Sequence, residues 1–110
     1  SVKRSNDISR KENKDDLRLY YFDSDVDIVS TTIKKRHVEP AHRHKENTET
    51  YYVISGKLLV RVEGKDVWLD PGDVIVINPG TCHSFETSVE EVKFLAIKKE
   101  PGLDDKELCG

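Results

Sequence analysis

From position 17 to 98 the sequence is a succession of short β-branched and aromatic runs, each closed by a turn signal. The runs cover residues 17–22, 26–37, 50–55, 58–62, 67–69, 74–77, 82–86 and 91–98. Gly56, Glu63-Gly64, Pro71-Gly72 and Pro79-Gly80 punctuate them. Branched and aromatic side chains suit a pleated, half-buried surface, and Gly and Pro supply turn dihedrals. About eight short strands at this spacing predict an all-β domain, a sandwich or a barrel. The one stretch compatible with a helix is 103–108, beyond Pro101-Gly102. The run Val74-Ile75-Val76-Ile77 is apolar on both faces, which predicts a covering layer on each side. A partner subunit covering the outer face makes a homodimer the expectation, and a simple sandwich with an opposing sheet explains the run equally well.

A chain of 110 residues suits one domain. Charged and hydrophobic residues each make up 35%, so the core must be compact and much of the chain solvated. Residues 1–16 are charged and almost without apolar anchors, and read as a flexible arm. A strand swapped onto a partner is the alternative for that segment. The barrel domain is expected over 17–100, and 101–110 as a tail. The net charge of −3 provides no basic field for nucleic acid. No apolar run approaches membrane-spanning length, and no signal-type segment opens the sequence as given. A cytoplasmic location is the resulting expectation. Cys82 and Cys109 lack metal-type spacing. A disulfide between them has no support in the sequence, and Cys82 reads as a small buried apolar residue.

His42, His44, Glu49 and His83 are the candidate chemistry. Residues i and i+2 of a strand share a face, so His42 and His44 point the same way. The polar stretch 45–48 can turn and return Glu49 to the same mouth. His83 follows a Pro-Gly turn on a later strand. Each alone would be an ordinary solvated side chain. Three imidazoles and one carboxylate together suit a transition ion such as Zn, Fe, Mn, Ni or Cu. Four protein ligands leave room for water or a substrate oxygen, so the site is expected to be open.

The spacing resembles the cupin superfamily. The first cupin motif is Gly-x5-His-x-His-x3–4-Glu-x6-Gly, matched here by His42-x-His44-x4-Glu49-x6-Gly56. The second is Gly-x5-Pro-x-Gly-x2-His-x3-Asn, with Gly72, Gly80 and His83 in register. Arg36, Asn78 and Thr87 depart from it at turn and strand-end positions, and none removes a ligand. The resemblance spans residues 19–98. It implies a double-stranded β-helix, or jelly roll, of two antiparallel sheets. It also implies one divalent transition metal (Zn, Fe, Mn or Ni) on His42, His44, Glu49 and His83. The text of residues 44–56 is similar to small mannose-6-phosphate-isomerase-like cupins.

The family includes dioxygenases, isomerases and epimerases, decarboxylases, and proteins that only store or sense ligands. The implied function is a metal-binding cupin that binds or acts on a small polar metabolite, sugar-, acid- or diol-like. A non-catalytic binding or sensor module is the alternative, and an iron-dependent dioxygenase is the alternative enzyme class. Tyr51 shares the parity of Glu49 and is the one acid–base candidate beyond the ligands; packing explains it equally well. Phe85 shares the parity of His83 and is expected in the pocket wall or core. Trp68 is expected in the core or a dimer contact. Arg61 and Lys93 would meet an anion only if they point inward. His37 reads as a strand-end histidine.

Overall fold

The computed structural model describes residues 1–101 and 103–110. One antiparallel sheet consists of β1 (Ser9–Glu12), β2 (Asp16–Phe22), β3 (Asp27–Ile33), β11 (Val92–Lys98), β6 (Glu49–Ser55) and β9 (Val74–Ile77), in that order. The second runs β12 (Lys106–Leu108), β5 (His42–His44), β10 (His83–Thr87), β7 (Leu58–Val62), β8 (Lys65–Leu69). β4 (His37–Val38) also pairs with β10. This crossing order in two antiparallel sheets is the expected jelly roll. No helix among the described residues is long and apolar enough to cross a membrane.

Strand parity builds the core. Along β6 the buried positions are Glu49, Tyr51 and Val53, while Tyr52 and Ile54 face out. Val92 and Phe94 of β11, Ile33 of β3, and Leu58 and Val60 of β7 are at most 1% exposed. Tyr51, Phe85 and Phe94 meet edge to face, with centroids 5.2 to 6.2 Å apart. That geometry suits the aromatic quadrupole and makes a stiff floor beneath the histidines. At the β6–β7 corner Gly56 has φ +76° and lies against the Glu91 backbone.

Several expectations are corrected. Residues 1–16 contain a 3-10 turn (Ser5–Asp7) and β1, where a flexible arm was expected. β1 lies beside β2 through a four-residue ladder, Ser9↔Tyr20 to Glu12↔Leu17. Its four side chains are all exposed, so backbone pairing and not burial defines it, and composition is blind to that. The tail forms β12 on β5, not a helix. Cys82 is joined to Cys109 in a disulfide, not a buried free thiol. Within one chain the outer face of β9 is open: Val74 and Val76 are 51% and 58% exposed, while Ile77 is buried. β9 is an edge strand with branched residues on its outer face as well as its inner one. Trp68 is 62% exposed on β8, and so outside the core.

Candidate metal centre

β5 and β10 set two of the histidines side by side. His42 and His83 are register partners, and His44 follows on the same inward face of β5. The loop between β5 and β6 then swings Glu49 back. Asn47, 1% exposed, pins that loop: its amide nitrogen donates to the Glu100 carbonyl (3.1 Å) and its oxygen accepts from the Glu100 N–H (3.0 Å). The Gly80 N–H donates to the His44 carbonyl at 2.7 Å, so the Pro-Gly turn before His83 clamps the end of β5. The result is one cluster of His42, His44, Glu49 and His83, with ligand atoms within 4.8 Å of one another. All four residues are buried.

Hydrogen bonding fixes the histidine tautomers. His42 Nδ1 lies 3.0 Å from the Pro40 carbonyl, and His83 Nδ1 lies 2.9 Å from the Thr81 carbonyl. His44 Nδ1 lies 3.0 Å from Asp105 Oδ1. Carbonyls and carboxylates only accept, so in each neutral ring Nδ1 carries the proton and Nε2 presents a lone pair. The three Nε2 atoms surround Glu49 Oε1 at 4.0, 3.5 and 3.0 Å for His42, His44 and His83. Within this group one proton donor is supplied from outside, the Tyr51 hydroxyl, 3.0 Å from Glu49 Oε1. His44 Nε2 is buried without a hydrogen-bond partner among the described residues. Converging lone pairs around an anionic oxygen repel one another unless a cation sits among them. The donor set therefore fits a transition ion.

Without an ion, the electrostatics treat the ligands differently: His42 is favoured neutral, whereas His44 is favoured protonated beside Glu49. Burial would raise the Glu49 carboxyl, but contact with His44 and His83 outweighs it and holds the group well below the usual range. Burial lowers His42 and keeps its ring neutral, whereas Glu49 raises His44. Tyr51 is pushed well above its ordinary value by burial and by Glu49, so its phenol keeps its proton and donates. Asp105, although raised by burial, is held below the ordinary carboxylate range by the Glu46 N–H and by His44.

A cavity of about 190 Å³ opens beside the cluster and is lined by His42, His44 and Glu49. Val29, Phe85, Phe94 and Ala96 form an apolar wall, while Arg18, Glu39, Lys98 and Lys106 supply charge. Each cation has a carboxylate neighbour: Arg18 with Asp16 (3.1 Å), Lys98 with Asp27 (3.5 Å) and Lys106 with Glu39 (3.8 Å). Phe85 thus lines the cavity from the parity expected of it. Arg61 does not line it, and instead meets Asp66 at 2.7 Å; Lys93 faces outward. His37 lies 2.9 Å from Glu39, outside the cluster. Of the departures from the motif, Thr87 donates to the Lys35 carbonyl at 2.6 Å, and the Asn78 carbonyl accepts from the Thr81 N–H at 3.2 Å. The first ties the end of β10 to the chain after β3, and the second closes the turn before His83.

Residue-by-residue reading missed Asp105, which lies 61 positions from His44 in a segment without motif character. It missed Arg18, Lys98 and Lys106 as well, because surface lysine and arginine are the default. Alternation along β11, where Lys98 shares the parity of Val92, Phe94 and Ala96, is the signal that would have pointed Lys98 inward; the Leu17-Arg18-Leu19 pattern of β2 gives no such signal for Arg18.

Comparison with known proteins follows the same lines. Residues 29–98 match the family described as Cupin domain. A quercetin 2,3-dioxygenase of Bacillus subtilis is 31% identical over 62 residues, covering 56% of this chain and 18% of that protein. An oxalate-binding protein of Thermotoga maritima is 37% identical over 57 residues, 51% of this chain and 47% of that one. The match thus spans under half the length of either relative. Among solved structures, KdgF from Halomonas sp. superposes with a TM-score of 0.79 at 21% identity, covering 96% of both chains, a likeness of fold. With the motif, the jelly roll and the buried cluster of three histidines and one glutamate in agreement, the chain belongs to the cupin domain family.

Proposed function

We propose that this cupin holds one divalent transition metal, Zn, Fe, Mn or Ni, on His42, His44, Glu49 and His83, and takes a small acid-type metabolite beside it. One observation carries the reading: the 190 Å³ cavity is faced both by three of those four side chains and by Arg18, Lys98 and Lys106. When bound, such a metal supplies Lewis-acid polarisation of a ligand oxygen. Arg18 offers a planar guanidinium matched to a carboxylate, with Lys98 and Lys106 as point charges around it. Glu39 on the same rim disfavours a second negative group in its direction. The apolar wall of Phe85 and Phe94 keeps water from the bound face. The similarity to an oxalate-binding protein supports an acid as ligand.

Binding without turnover is the second reading, and Tyr51 favours it. Its hydroxyl is committed to Glu49 Oε1, so it holds the carboxylate in place and is no free acid or base. Dioxygenase chemistry, suggested by the quercetin dioxygenase relative, is separated by oxygen uptake with the iron-loaded protein. Thermal unfolding of zinc-loaded protein with oxalate, and with a neutral diol of similar size, tests the ligand class. Oxalate at 100 times its Kd is expected to add about 2.7 kcal/mol of stability, and Arg18→Ala to diminish the shift. A response to the diol with none to oxalate would contradict the acid reading.

A further inference from the structure

We propose that Asp105 positions His44, and that the Cys82–Cys109 disulfide makes this positioning depend on thiol redox state. The proposal rests on the metal-binding reading above. The three histidines differ in what orients them. His42 and His83 hydrogen-bond through Nδ1 to carbonyls two residues before them, Pro40 and Thr81. Those partners are local, two residues away in the segments that lead into β5 and β10. His44 depends on a carboxylate delivered from the far end of the chain.

Asp105 is fully used. Oδ1 faces His44 Nδ1 at 3.0 Å, and Oδ2 accepts from the Glu46 and Asn47 amides at 2.9 and 2.8 Å. It therefore fixes both the tautomer of one proposed ligand and the loop that returns another, Glu49. An asparagine there has one oxygen, so its NH2 group would face either the His44 donor or the two backbone donors.

Apart from its covalent tie, the segment carrying Asp105 is held by polar contacts: beyond those of the Asp105 carboxylate, the Lys45 N–H donates to the Asp105 carbonyl and the Cys109 N–H to the Ala41 carbonyl, each at 3.1 Å, and Lys106 meets Glu39 at 3.8 Å. β12 has three residues, sits at the sheet edge and pairs with β5 at Lys106↔His44, Glu107↔Arg43 and Leu108↔His42. Leu108 is 72% exposed, so little apolar burial retains it. The Glu107 pairs with Arg43 and Lys45 are solvent-exposed and contribute little. Cys109 follows β12 and Cys82 precedes His83, so the disulfide links the strands on either side of β5. A dithiol reductant would deliver two electrons to the Sγ–Sγ bond. Each sulfur would gain a proton, and the reductant would become its own disulfide. β12 is then free to separate, Asp105 leaves with it, and the His44 ring loses the partner that aims Nε2.

The test compares zinc affinity, by competition with a chromophoric chelator, in three forms: oxidised wild type, reduced and alkylated wild type freed of reductant, and the Cys82→Ser/Cys109→Ser variant. The last two should bind zinc roughly tenfold or more weakly than the first. In metal-free protein, deuterium exchange at the Glu46 and Asn47 amides should quicken in both. Asp105→Asn with its disulfide intact should lose affinity to a similar degree, and reduction should add little to that loss. Unchanged affinity with slow Glu46 and Asn47 exchange in the double-serine variant would overturn the proposal, as would wild-type affinity in Asp105→Asn. Equal zinc binding by oxidised and reduced protein removes this inference alone. Absence of zinc binding by the oxidised wild type removes the metal reading beneath it.

Discussion

Replacing His83 by alanine is expected to weaken metal binding more than roughly 100-fold, beyond the loss seen when only an outer hydrogen-bond partner of a ligand is removed. His83 is 2% exposed, and its Nε2 makes the shortest approach to Glu49 Oε1, 3.0 Å. Its ring is oriented by the Thr81 carbonyl and flanked by His42, with centroids 4.4 Å apart. Alanine removes one of three imidazoles and leaves the buried Glu49 carboxylate with one fewer compensating partner. The measurement is a zinc competition titration, with far-UV circular dichroism to confirm that the barrel persists. His42→Ala should behave alike, since both residues open onto the same centre from paired strands. Full metal stoichiometry and affinity in both variants would remove these residues from the ligand set.

Gly56→Ala is expected to destabilise the fold by about 3 kcal/mol or more, adding backbone strain to overpacking. Gly56 has φ +76°, a conformation that penalises any Cβ. The Cβ itself would collide with the Glu91 carbonyl oxygen and stand 2.9 Å from Val92 Cα, both of them backbone atoms. Side-chain rotation cannot relieve that contact, so β11 or the β6–β7 corner must shift. Gly72→Ala is the control. It has φ +91° but nothing within 4 Å of an added Cβ, so the conformational cost alone, about 1–2 kcal/mol, applies. Urea denaturation of the two variants reads the difference. Equal losses would show that the crowding at Gly56 is not what the position requires.

Most strands between β2 and β11 were legible because each is a β-branched or aromatic run bounded by a turn signal, as in residues 50–55 before Gly56. The ligand set was legible because the cupin motif places His42, His44, Glu49 and His83 at fixed distances along the sequence. What escaped has a common physical basis. β1 and β12 are defined by backbone ladders at sheet edges, and exposed edge strands need no apolar pattern. The charge-rich text of both segments therefore read as arm and tail. The disulfide and Asp105 are long-range consequences of folding β12 against β5, and 27 and 61 residues of separation leave no local signal. Val74 and Val76 are exposed within one chain, the face on which a partner layer was expected. Branched residues on an exposed outer face look the same in sequence as residues beneath a second layer. Trp68 is exposed as well, which excludes the core half of its expectation, because parity on β8 is not legible from the residue type alone.

The central claim is that three imidazoles and the Glu49 carboxylate form one metal centre. X-ray absorption at the zinc edge, on protein reconstituted with one equivalent of zinc, tests it most directly. A first shell of nitrogen and oxygen only, with the multiple-scattering signature of three imidazoles, is expected. A sulfur-containing shell, or one with fewer than three imidazoles, would contradict it.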